Sequence, residues 1–221
     1  MKKNLIILLV MLPILMFAQP SAKEQARELA RTQIIGLKSS TLLVRLYTKK
    51  NVIEALESQG MAKRAAVVKR KQEKVNAEII ESFQKFDFCS VYFFYSDQSD
   101  YIVDKNYSKV DLFDKDGVLE LQLDGPNFFV ADFGVLKNEN STIFKNPDAQ
   151  QTGRTKVKTY KGRTSTLNKR CMYLRNSELQ QLKRPFPYTV WFHPTPVQRL
   201  SYEEVVSKMN EQLQEFYSSI K

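Results

Sequence analysis

The sequence predicts an α+β fold, a single domain in which a mixed sheet packs against long amphipathic helices. Three features carry this reading. Two apolar, β-prone runs, 41–48 and 89–95, are joined by a long helical pattern, the arrangement of a crossover between parallel strands. Asp114-Lys115-Asp116-Gly117 lies between two short apolar runs, which is a hairpin signal because Gly supplies the positive φ a tight turn needs. A closing segment from Ser201 to Ile220 has its own start signal and one continuous apolar face.

Taken in chain order, residues 22–37 form a first helix rich in Ala, Glu, Arg and Leu. Thr41 to Thr48 is a buried strand, followed by a helix start with Asn51 as N-cap and an interruption at Gly60. From Met61 to Phe86 the pattern is helical again. Ala65, Val68, Val75, Ile79, Phe83 and Phe86 recur at three- and four-residue steps, with Gln72 as a polar member of the stripe. Cys89 to Tyr95 is a central strand parallel to the first. Val110–Phe113 and Val118–Leu121 form the hairpin, and Asn127–Leu136 a further strand. Met172-Tyr173-Leu174 is a short strand, Ser177-Glu178-Leu179-Gln180 a capping box opening a short helix that Pro185 stops, and Tyr188–Phe192 the last strand. In the final helix Ser201 and Glu204 make a capping box, Leu200 and Val205 a hydrophobic staple.

The chain opens Met1-Lys2-Lys3-Asn4, then runs apolar from Leu5 to Ala18, broken by Pro13. A basic start, a short apolar core and a small residue at the cut define a secretory signal peptide, with cleavage expected between Ala18 and Gln19. A membrane-spanning helix needs about 20 apolar residues, and this run is shorter and carries a proline. The expected organisation is a signal at 1–18 and one domain at 19–221, exported to the periplasm or the extracellular space and not membrane-spanning after cleavage. The Lys-Lys-Asn…Phe-Ala-Gln style of the N-terminus resembles exported proteins of Bacteroidota, and the stretch Gln181 to Tyr188 resembles one found in uncharacterised proteins of that group. The resemblance implies a host with two membranes and implies no activity.

Charge is the other informative property. The chain has 34 basic and 24 acidic residues, an excess of +10, of which Lys2 and Lys3 leave with the signal. No acid stands between Asp148 and Glu178, while Arg154, Lys156, Lys158, Lys161, Arg163, Lys169, Arg170 and Arg175 do. The loop-rich stretch at about 137–170 is therefore a basic segment, and its residues from Arg154 to Arg170 are the candidate anion-binding site. The partners expected are an anionic envelope component or an acidic protein. Nucleic acid is excluded by export. The competing reading is a solvated basic hairpin without a partner.

No catalytic constellation is legible. Placing Gly117 at the sixth position of a calcium loop puts Leu112 first and Leu123 last, and neither can ligate, so a hairpin is expected and no metal. Cys89 and Cys171 are candidates for a disulfide in an oxidising compartment, or else two buried free thiols. The strand–helix–strand start, Pro187 before a late strand and the terminal helix resemble a thioredoxin-like α/β fold in outline. Without Cys-x-x-Cys that would be a version lacking the usual active site. His193 is the only histidine and has no nucleophile signature beside it. Asp97, Asp100 and Asp104 could pair for glycoside hydrolysis but read as surface acids. The expectation is a non-enzymatic binding module with a basic surface and no cofactor, the alternative a thioredoxin-like or unrecognised periplasmic enzyme.

Overall fold

The computed structural model describes residues 21–121, 123, 125–136, 170–195 and 197–220. The expected signal at 1–18 and most of the basic segment lie outside these residues. Helix α1 spans Ala22–Lys38, and strand β1 follows at Thr41–Leu46. Helices α2 (Lys50–Ser58) and α3 (Ala62–Ser82) lead to β2 at Ser90–Tyr95. A short helix α4 (Ser99–Val103) precedes β3 (Leu112–Phe113) and β4 (Leu119–Leu121). Strands β5 (Phe128–Val135), β6 (Arg170–Arg175) and β7 (Thr189–Trp191) come next, and helix α5 closes the chain at Tyr202–Ser219.

The seven strands form one mixed sheet in the order β4-β3-β2-β1-β5-β6-β7. The central strand β1 runs parallel to both β2 and β5, and every other neighbour is antiparallel. The α+β class and the parallel pairing of the first two strands are thus as expected. The hairpin forms at Asp114, whose Oδ1 accepts from the backbone N–H of Asp116 and Val118 while Gly117 takes φ 81°. A carboxylate oxygen occupied by the turn itself is the chemical reason this loop reads as a turn.

Alternation along the strands sorts side chains between two faces. Leu42, Val44 and Leu46 of β1, Val91 and Phe93 of β2, Ala131 and Phe133 of β5, and Met172 and Leu174 of β6 turn to one side. There they join Ile34 and Leu37 of α1, Ile79 and Phe83 of the α3 end, and Val205, Met209 and Leu213 of α5 in the main core. The three long helices thus cover one face. On the other, Leu43, Phe94, Phe128 and Val130 pack with Ile102 and Val110 in a smaller core under α4. Further along β1 and β5, and on β6, that second face carries Arg45, Asp132, Tyr173 and Arg175 instead.

Some local expectations are corrected. Helix α2 starts at Lys50 after Lys49 at φ 53°, without a side-chain cap, so Asn51 lies inside it. Helix α3 ends at Ser82, and Phe83 and Phe86 reach the core from turns that continue its stripe. Residues 177–180 are not helical. Asn176 Oδ1 takes the N–H groups of Glu178 and Gln180, making a tight turn in which Leu179 sits at φ 59°. The polar side chain one residue earlier captured the donors that a helix start would have used. The terminal helix matches its signals, with Ser201 and Glu204 exchanging cap bonds and Leu200 and Val205 both buried.

Candidate functional site

The polar part of the second face is built around Asp132, a carboxylate at the centre of β5 with no solvent exposure. β6 places Tyr173 directly opposite it, and from the other side come Arg45 of β1 and Tyr47, one residue past that strand's end. Arg45 and Tyr47 are two residues apart, as are Tyr173 and Arg175, so each pair projects from one face of its strand. The result is nearly symmetric. Arg45 Nη2 donates to Asp132 Oδ2 and to the Tyr47 hydroxyl (2.9 Å), and that hydroxyl donates to Asp132 Oδ1 (2.9 Å). On the far side Arg175 Nη2 donates to the Tyr173 hydroxyl (2.9 Å), which donates to Asp132 Oδ2 (3.1 Å). Arg175 Nε completes an ion pair with Oδ2 at 3.3 Å. Each guanidinium also lies over its own tyrosine ring, at 5.1 Å for Arg45 and 5.0 Å for Arg175.

Supports outside the cluster hold these groups in place. Gln72 donates to Asn76 (2.9 Å), and Asn76 donates to the Tyr47 carbonyl (3.0 Å), so α3 pins the backbone from which Tyr47 projects. This explains the polar member of the α3 stripe: Gln72 is buried because it orients Asn76. The left-handed Leu179 brings its carbonyl to Arg175 Nη1 at 2.6 Å. A non-glycine residue in that region costs about 1–3 kcal/mol and persists only where surroundings enforce it.

Two positive charges meet one negative charge here. Desolvation opposes the Arg45 charge, but the attraction of Asp132 and the bond to Tyr47 outweigh it and hold the guanidinium above its ordinary value. Burial, reinforced by the Asp132 charge, raises the Tyr47 hydroxyl and pushes Tyr173 up to about 12. Both tyrosines are therefore neutral donors near pH 7. A cleft of about 700 Å³ opens over the cluster, lined by Arg45, Tyr47, Tyr173, Arg175 and the chain from Gly134 to Leu136. Leu179, Gln180, Gln181 and Lys183 close its other side. A Cβ at Gly134 would stand 3.6 Å from the Tyr173 hydroxyl and 3.9 Å from that of Tyr47. With hydrogen in its place, the space above both hydroxyls stays open.

Of the eight basic residues noted in the sequence, Arg175 joins this cluster; the candidate site residues fall elsewhere. Arg154, Lys156, Lys158, Lys161, Arg163 and Lys169 lie outside the described residues. Arg170, at the start of β6, lies over the rings of Phe192 and Tyr202 and donates to the Tyr202 hydroxyl (2.8 Å). It lines a second cleft of about 690 Å³ with His193 and Arg199, but Glu78, Glu81 and Glu203 share that cleft, so its charge is mixed. Asp97, Asp100 and Asp104 are exposed in and around α4 and line neither cleft. Among the described residues no group of three or more His, Cys, Asp or Glu side chains is placed to hold a metal.

The candidate disulfide does not form. Cys89 and Cys171 are free thiols. Cys89 precedes β2 at the end of the sheet where Ser90, Thr41 and Phe128 align, whereas Cys171 pairs with Gly134 six residues further along β5. Three strand spacings of about 4.8 Å separate them laterally as well, against a Cα separation of at most about 7 Å for a bridge. Burial pushes Cys89 up to about 12 and raises Cys171, the opposite of the low-pKa thiolate that redox exchange requires.

Composition did not reveal the Asp132 cluster. Its signal was an acid and a base of opposite sign, Asp132 and Arg45, each embedded in an otherwise apolar strand. Comparisons with family models, curated proteins and solved structures give no match for this chain.

Proposed function

We propose that this chain is an exported, non-enzymatic binding protein whose basic surface holds an anionic group, in the periplasm or outside the cell. The observation that carries the binding reading is that, among the described residues, two guanidiniums, Arg45 and Arg175, share one buried carboxylate, Asp132, at the floor of an open cleft. Buried charge is costly unless it is paired, and an anion seated in the cleft supplies the missing partner. Two permanently charged guanidiniums and two hydroxyls raised above their ordinary range favour holding a ligand over exchanging protons with it. Leu136 lines the cleft, and Arg170 pairs with Val135 in the β5–β6 ladder. Residues 137–169 carry eight basic and two acidic side chains, so a polyanionic envelope component or an acidic protein is the partner expected.

The test is thermal unfolding at constant ionic strength with chloride replaced in turn by acetate, sulfate and phosphate. At least one anion should raise the melting temperature of the parent beyond chloride, with the rise lost in Arg175→Gln. Identical melting in all four salts would end the anion-binding reading.

A further inference from the structure

We infer that the ligand of the Arg45–Arg175 cleft is an organic molecule presenting a single carboxylate, an inference that rests on the anion-binding reading above. Charge sets the class. Among the described residues of the floor, Arg45 and Arg175 bring two positive charges and Asp132 removes one, so one negative charge from the ligand completes it. A phosphate or sulfate dianion would set its second charge against the Asp132 carboxylate, where like charges repel more strongly than in water. Lys183 stands at the exposed rim, and solvent and salt screen its contribution.

Shape agrees with charge. Guanidinium groups present paired N–H donors in a flat fork that matches a planar carboxylate, and the tyrosine rings beneath both forks hold them in place. The walls suit an organic body. Val135 is 43% exposed and stands at the cleft with Leu136 and Leu179, while Gln180 and Gln181 offer amides. A cleft of about 700 Å³ is far larger than an inorganic oxyanion requires and falls within the range of small-molecule sites, about 300–1,000 Å³. Gly134 keeps the approach to the tyrosine hydroxyls clear.

A carboxylate of this kind can come from a free organic acid or from the C-terminus of a peptide, and the experiment separates the two. Calorimetric titration of the whole exported chain would use 4-methylpentanoate, N-acetyl-Ala-Ala-Leu as free acid, the same peptide as C-terminal amide, inorganic phosphate and sulfate. The expected result is that a carboxylate ligand binds one to one at least tenfold tighter than phosphate or sulfate, and that the amide loses at least tenfold. A further tenfold preference for the peptide acid over 4-methylpentanoate identifies a peptide C-terminus as the source, and the absence of that preference identifies a free acid. Phosphate or sulfate binding as tightly as the carboxylates overturns the carboxylate assignment and leaves the anion-binding reading standing, whereas measurable binding of the uncharged amide equal to that of the acid overturns both. No binding by any of the five overturns both. Gly134→Leu fills the space over the hydroxyls without removing a charge and should abolish carboxylate binding. NMR of the unaltered protein should place the largest ligand-induced amide shifts at Gly134–Leu136 and Gln180–Gln181, and shifts confined elsewhere overturn the site.

Discussion

Tyr173 stands directly across from Asp132 in the β5–β6 ladder and gives its hydroxyl proton to the Asp132 carboxylate at 3.1 Å. Tyr47 does the same from the opposite side, so one buried carboxylate ties three strands together through two hydroxyls and two guanidiniums. Such a cluster contributes position rather than net stability, because the desolvation of its charges offsets much of their attraction. Removing one member is another matter.

Asp132→Asn should be the most damaging single change in the cluster. It leaves Arg45 and Arg175 facing each other without a counter-charge, and breaking a buried pair costs about 3–5 kcal/mol. Tyr173→Phe keeps the charges and removes one bond to the carboxylate, for a loss of about 1.5–3 kcal/mol. Urea unfolding of both variants against the parent checks the order, which should not reverse.

Stability should fall on the alkaline side, starting near pH 9. Cys89 titrates from a reference value of 9.0 in the unfolded chain and at about 12 when folded, and Tyr173 from 10.0 to about 12. In that window the unfolded chain has released protons that the folded chain still holds, so rising pH favours unfolding. The contribution is intact below pH 9 and is lost as pH climbs towards 12. Cys89→Ala should flatten the early part of this decline, read as the denaturation midpoint between pH 8.5 and 10.5.

Asn76→Ala should cost about 1–3 kcal/mol, since it leaves the Tyr47 carbonyl without its donor and strands Gln72 in the α3 interface. Because Tyr47 lies on the cleft floor, the same variant should also weaken whatever anion raises the melting temperature. Denaturation and anion titration on one preparation measure both effects.

Helix α5 belongs to the main core, and Leu213→Ala should show it. Leu213 is fully buried alongside Val205, Val206 and Met209, and a leucine truncated to alanine at such a site costs about 2–5 kcal/mol. A chain ending before Ser201 should lose cooperative unfolding altogether. Melting of the truncated chain at the parent's temperature would show that the helix is an appendage.

The exported form should begin at Gln19 or within a few residues of it, given the basic start, apolar core and Ala18. N-terminal sequencing of protein recovered from its native host checks this, and an intact Met1 on a membrane-embedded chain would contradict it.

Elements with local causes were determined by the sequence alone. The Ser201–Glu204 cap and the apolar face behind it act within a few residues, so the terminal helix was legible as it stands. The hairpin at Asp114–Gly117 was equally legible, because the side chain and the glycine that make it sit in the turn itself. Competition between local signals defeated the reading at 177–180, where Asn176 captured the donors first. Gln72 stood out along the α3 stripe, yet its role needed Asn76 and the Tyr47 carbonyl to be brought beside it. Only the tertiary structure decided the cleft. Arg45 and Asp132 are 87 residues apart in sequence, and Asp132 and Tyr173 41 apart. What joins them is the order β1-β5-β6 and its register, which follow from burying the opposite, apolar face of the same three strands under α1, α3 and α5. The pairing of charges follows from the packing of residues that carry none.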